Sequence, residues 1–198
     1  MYNIIYIMEE HDCPPKDKKV TFNLPIVKKV KDLEDKSKYP ARHPHLPVPP
    51  FNMICCGSVR SGKTNFLVNA LRSKDFWGGE DGGEPYFKKS LIISNSIHND
   101  PKGKYLMDKY PVEDHYEDRM IDEFVKSQKM HKREDMPTAI ICLDDIISKD
   151  FKRTSSIAYL CSRYRHIETS IILNTQAYRS VSNIIRCNND YMIIFKQN

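Results

Sequence analysis

Gly57-Ser58-Val59-Arg60-Ser61-Gly62-Lys63-Thr64 is the stretch on which the reading of this chain turns. Its spacing, glycine, four residues, then Gly-Lys-Thr, is that of a loop that wraps phosphates. The context agrees. Phe51-Asn52-Met53-Ile54-Cys55-Cys56 before it is a short apolar run, as a buried strand requires. After Gly62 the apolar residues Phe66, Leu67, Ala70 and Leu71 recur at helical spacing. Glycines let the backbone curl until successive N–H groups face an anion, and the helix adds its positive N-terminal end. In such a loop Lys63 contacts the β- and γ-phosphates and Thr64 places its hydroxyl on Mg²⁺. The nucleotide-binding residues are then Gly57, Ser58, Val59, Arg60, Ser61, Gly62, Lys63 and Thr64, with Arg60 either touching phosphate or pointing to solvent.

Four further apolar runs follow, at 90–94, 138–143, 170–174 and 191–195. Residues 116–132 and 155–166 between them have helical spacing, the first with Met120, Ile121, Phe124 and Val125 on one face. Short apolar strands alternating with helices imply βαβ units and a mostly parallel five-strand sheet flanked by helices, an α/β fold. The phosphate-loop strand is expected at its centre. Residues 1–50 read as a charged, proline-rich arm, and Leu46-Pro47-Val48-Pro49-Pro50 excludes a helix there. Residues 51–198 form the phosphate-loop domain, and the glycine-rich segment 78–84 is a loop within it. The sequence stops three residues after Phe195, so a helix that would cover the fifth strand is expected to be missing.

Ile140-Ile141-Cys142-Leu143-Asp144-Asp145 is an apolar strand ending in two carboxylates. Asp144 is placed to hold Mg²⁺ through water. Asp145 stands where many ATPases carry a glutamate that orients the attacking water, but its side chain is shorter by a methylene. A strand lies between the two motifs in the additional-strand class of P-loop NTPases and ends in a polar sensor. Ser170-Ile171-Ile172-Leu173-Asn174-Thr175-Gln176 fits that strand, with Gln176 reaching the γ-phosphate or the water. The catalytic set is therefore Lys63, Asp145 and Gln176, with Thr64 and Asp144 for the metal.

Arg165-His166, Ser170–Gln176 and Ile185-Arg186-Cys187-Asn188-Asn189-Asp190, at these spacings, make residues 50–198 resemble the FtsK–HerA superfamily. Within it the chain is most similar to the poxvirus-type genome-packaging ATPases of large double-stranded DNA viruses. The resemblance implies a RecA-like fold, ATP and Mg²⁺ as cofactors, and a homo-oligomeric ring that drives duplex DNA into a capsid. It implies capsid or portal-type proteins as partners, and the host cytoplasm with its viral factories, or the virion, as location. It also implies an arginine reaching a neighbour's site, for which Arg165 and Arg186 are favoured among the arginines of 163–186.

Composition restricts the alternatives. The 198 residues suffice for one ordinary domain, and no apolar run approaches the ~20 residues of a membrane span. The first residues lack the basic flank and cleavage site of a signal peptide, which reads as a cytosolic or nuclear protein. Six cysteines without zinc spacing read as reduced, buried thiols. Residues 151–198 carry 7 Lys/Arg against 2 Asp/Glu. A polyanion partner and a solvated surface both fit that charge. His43 and His45 in the arm are thin evidence for a metal. Two other functions share the phosphate loop. A nucleotide kinase would need an acceptor pocket and an arginine-rich lid, whereas 78–84 is glycine-rich and acidic; a non-enzymatic scaffold would not need Lys63, Thr64 and Asp144 intact. Lys63→Ala is expected to cut ATP hydrolysis about 100-fold or more, the scale of losing one transition-state donor, as measured by phosphate release.

Overall fold

The computed structural model describes residues 45–79, 85–96, 101–146 and 155–196. The arm before residue 45 and most of the 78–84 loop lie outside them. Six strands form one sheet: β1 (Asn52–Cys56), β2 (Lys89–Ser94), β3 (Val112–Glu113), β4 (Ala139–Asp144), β5 (Thr169–Thr175) and β6 (Tyr191–Ile194). Their order is β3-β2-β4-β5-β1-β6, and every pairing is parallel. The helices among the described residues are α1 (Lys63–Arg72), α2 (Pro101–Met107), α3 (Asp118–Lys129), α4 (Ser156–Cys161) and α5 (Asn183–Cys187).

The sheet is buried on both sides: β1 and β4 are apolar at nearly every position, β5 has an apolar centre at Ile171–Leu173, and strand alternation sends successive residues to opposite faces. Ile54, Ile141, Leu143, Ile171 and Leu173 point to the face covered by α3, α4 and α5. Met53, Cys55, Ile140, Cys142 and Ile172 point to the face covered by α1 and α2, where Trp77 packs on Phe51 with ring centroids 4.8 Å apart. α3 buries Ile121 and Phe124 as its spacing requires. Its Gln128 amide, also buried, donates to the carbonyls of Pro137 and Ile167 and so ties the helix to the starts of β4 and β5. Gly78 closes the turn after α1, where a Cβ would stand 2.2 Å from the Arg72 carbonyl carbon.

Three expectations change. The sheet has six strands, not five, because β3 is a two-residue edge too short to leave a periodic signal. β1 is second from one edge, and β4 and β5 are central. The 155–166 helix is instead α4 followed by a separate 3₁₀ turn, Tyr164–Ile167, leading to Glu168 at φ 46°. The intervening position of β5, between β1 and β4, is as expected. β6 is an exposed edge, with Ile194 69% accessible. Cys55, Cys56, Cys142 and Cys161 are buried free thiols, and burial raises Cys55 to about 12, so it stays protonated. Cys187 departs from that pattern and is exposed. No helix among the described residues is long and apolar enough to cross a membrane.

Ile141, fully buried in the central strand, is the sharpest test of this packing. Ile141→Ala is expected to lower unfolding stability by about 2–5 kcal/mol in a urea titration.

Candidate functional site

In a parallel sheet all strands end on one side, so the segments after β1, β2, β4 and β5 converge there. The phosphate loop leaves β1 at that edge. Its first amide, Gly57 N–H, donates to the Thr175 carbonyl of β5 at 3.1 Å. Arg60 has φ 62° and Gly62 φ 106°, which turns the chain sharply into α1. A Cβ on Gly57 would lie 2.6 Å from both Phe195 Cβ and Ser61 Oγ, so only glycine fits there. Lys63 is buried at 5% exposure, and its Nζ donates to the carbonyls of Gly57 and Ser58 at 2.8 and 2.9 Å. These carbonyls hold the ammonium against the inside of the loop.

Asp144, the last residue of β4, is fully buried. The register sets it opposite Ser94 on β2 and Asn174 on β5. Its carboxylate accepts from Asn174 Nδ2 at 2.6 Å, from Thr64 Oγ1 at 3.1 Å and from Ser94 Oγ at 3.2 Å. Burial pushes its pKa above the usual carboxylate range and Asp145 pushes the same way, while the three donors pull it down. Asp145 has left the strand with φ 54°, and its Oδ1 is buried without a protein partner. Ser61 Oγ in the loop is likewise buried and unpartnered.

These orphaned oxygens and the ring of oxygen donors bear on the metal the motifs imply. Mg²⁺ takes oxygen ligands and keeps several waters. A hydroxyl and a carboxylate 3.1 Å apart, with a second carboxylate oxygen beside them seeking a partner, fit a hydrated Mg²⁺. Lys63, Thr64, Asp144 and Asp145 thus meet at one edge.

Gln176 follows β5 directly and is exposed; its carbonyl faces Cys56 Sγ at 3.9 Å, beside the start of the loop. Of the two favoured arginines, Arg165 is elsewhere. Arg165 lies at the opposite edge, where strands begin; its Nη2 is 2.8 Å from Asp190 Oδ1 and its Nε 2.7 Å from Tyr164 Oη. Asp190 also accepts from the Asn52 amide and the Tyr164 hydroxyl, so Arg165 belongs to a lock on β1 and β6. Arg186 on α5 rests on the Tyr178 ring at 5.3 Å, with Nε buried and unpartnered.

Sequence reasoning missed four contributors. Asn174 and Ser94 reach Asp144 only through pairing of strands 30 and 50 residues away. Phe195 and Lys196 form a wall of the loop: Phe195 N–H donates to Cys56 O at 2.8 Å, and Ser58 Oγ donates to Lys196 O at 3.2 Å. The signal for Ser94 and Asn174 was present, since each polar residue closes an apolar run.

The model of the family described as "Poxvirus A32 protein" matches residues 91–197, more than half of the chain. The chain belongs to the poxvirus A32 protein family. Three of the solved structures similar to this A32-family chain come from Sulfolobus turreted icosahedral viruses. The genome packaging NTPase B204 of virus 2 with AMP aligns at TM-score 0.53 and 19% identity over 76% of this chain and 77% of that one. Its complex with AMPPCP gives 0.51 and 19% over 76% of each chain. B204 described as a DNA-packaging ATPase gives 0.53 and 19% over 76% and 77%. At such identity the likeness is one of fold alone. No curated protein matches the sequence.

Asp144 offers a test with opposed readouts. Its raised pKa means that the folded state favours the neutral carboxyl, so stability falls as pH rises from the ordinary carboxylate range through the Asp144 value. Asp144→Asn is expected to raise Tm at neutral pH without Mg²⁺ while reducing ATP hydrolysis about 100-fold or more. Thermal melts and phosphate release measure both.

Proposed function

We propose that this A32-family chain is an ATP-driven motor that moves duplex DNA and packages a viral genome into its capsid. The observation that carries the reading is the convergence of Lys63, Thr64 and the buried Asp144 at the strand-end edge, joined by direct hydrogen bonds to the loop and the sheet. Membership of the A32 family and the fold shared with a viral genome-packaging NTPase support it.

In this reading the loop amides and Lys63 bind the β- and γ-phosphates of ATP, which releases the Lys63 ammonium from the Gly57 and Ser58 carbonyls. Thr64 and Asp144 would hold Mg²⁺, Asp144 through water, and the bound ion would supply positive charge to the phosphate oxygens. Asp145, strained at positive φ with an unpartnered oxygen, aligns the attacking water, and Gln176 at the end of β5 contacts the γ-phosphate or that water. A neighbouring subunit in a ring supplies an arginine, an interaction worth about 10³–10⁵ in comparable phosphoryl transfer. Arg186 suits that role better than Arg165, because Asp190 and Tyr164 already engage Arg165. Capsid or portal-type proteins receive the DNA.

Duplex DNA is expected to stimulate ATP hydrolysis several-fold, and the stimulation to weaken with salt because the grip is on phosphates. Equal phosphate release with and without duplex DNA would count against the motor. Transfer of the γ-phosphate to a small acceptor would indicate a kinase instead.

A further inference from the structure

A cavity of about 460 Å³ opens between α3 and α4, on the sheet face opposite α1. Leu160 and Ile167 are among its apolar lining residues, and Lys129, Tyr159, Arg163 and His166 stand around it. Among the described residues no carboxylate lines it. Both helices end here: Lys129 is the last residue of α3, and Arg163 and His166 follow α4. They lead into β4 and β5, so the cavity lies towards the edge where strands begin, away from the phosphate loop.

The electrostatics of this place are unbalanced. Among the described residues Lys129 and Arg163 make no ion pair, whereas Arg119 is paired with Glu123 and Arg165 with Asp190. Arg163 is nonetheless held in place. Its guanidinium carbon lies 4.4 Å from the Tyr159 ring centroid, and its Nη1 donates to the Tyr159 hydroxyl. A guanidinium fixed on an aromatic ring loses less entropy when it meets an anion and keeps donors to spare.

The form of the ligand follows from what the site lacks. Helix C-termini present carbonyls, not N–H groups, so a compact free anion finds none of the main-chain donors that the phosphate loop offers. Cations spread over two helix ends suit an anion whose charges are also spread. A nucleic-acid backbone is such an anion, with one phosphate per ~1.7 Å of duplex axis. The chain's positive excess also falls in residues 151–198, which contain α4 and Arg163.

We propose that this cavity binds the phosphate backbone of duplex DNA, with Lys129 and Arg163 as the phosphate contacts. The inference rests on the motor reading above and locates where that motor holds its track. The test is fluorescence anisotropy of a labelled duplex across a salt series. It compares the unaltered chain, the double variant Lys129→Ala/Arg163→Ala, and a control, Lys104→Ala/Lys109→Ala, that removes equal charge at α2. The cavity variant is expected to bind roughly tenfold more weakly at low salt, with a log–log salt slope shallower by about 2. Its ATP turnover without DNA should be unchanged and its Tm should fall only slightly, since the Arg163–Tyr159 contact it loses is an exposed one, and the control should bind like the unaltered chain. Unaltered binding by the cavity variant would overturn the proposal and leave the motor reading standing. An equal loss in the control would overturn it as unspecific charge. Displacement of the duplex by inorganic phosphate at matched ionic strength would overturn it in favour of a compact-anion site. No DNA binding by the unaltered chain would remove the motor reading and this inference together.

Discussion

A buried carboxylate at the end of a central strand is the constraint that orders this molecule. Asp144 has no contact with solvent, and an ionised group in that position is costly unless donors surround it. Three elements supply them: α1 through Thr64, β2 through Ser94 and β5 through Asn174. Each donor fixes one relation of the fold. The strand registers set Ser94 and Asn174 level with Asp144, and the tight turn at Gly62 brings the first turn of α1 over the same edge. A register slip of one residue in β4 would send Asp144 to a different position and its apolar neighbours to the wrong faces. The apolar pattern that makes a stable two-sided sheet therefore also holds a group whose ionisation opposes stability, as sites built for a cation tend to do.

Local chemistry was legible in the sequence, and long-range chemistry was not. The phosphate loop could be read because its glycines, lysine and threonine are fixed by backbone geometry within eight residues. The position of β5 between the two motifs could also be read, because Ser170–Asn174 is a near-continuous apolar run bounded by polar residues. Asn174 itself was passed over for Gln176, since its value depends on standing beside Asp144 in a pairing that no local pattern encodes. The same holds for Ser94 and for Phe195, whose Cβ closes on Gly57 from 138 residues away. α2 escaped because Gly103 and a short span leave no helical periodicity, and β3 because two residues cannot alternate. Arg165 is held by Asp190, 25 residues on, through a contact that no local pattern encodes.

The sheet separates two kinds of surface. At the edge where strands end lie the phosphate loop, Asp144 and Asp145. At the edge where strands begin, Asp190 gathers the Asn52 amide, Tyr164 and Arg165 and so clamps β1 to β6 and to the turn before β5. β5 runs between the two, starting next to the turn that carries His166 and ending where Thr175 holds the first amide of the loop. β5 is thus a direct mechanical link between the two edges. Bonds at both of its ends make it a stiff one.

The site stands or falls on whether a metal joins Thr64 and Asp144 when nucleotide is bound. Crystals grown with Mn²⁺ and a non-hydrolysable ATP analogue would show the ion directly by its anomalous scattering. The expected result is a single strong peak at Thr64 Oγ1, facing the β- and γ-phosphates, with Asp144 reaching it through water and the Lys63 amine moved from the Gly57 carbonyl to phosphate. A nucleotide bound with the Thr64–Asp144 hydrogen bond intact and manganese elsewhere would contradict it.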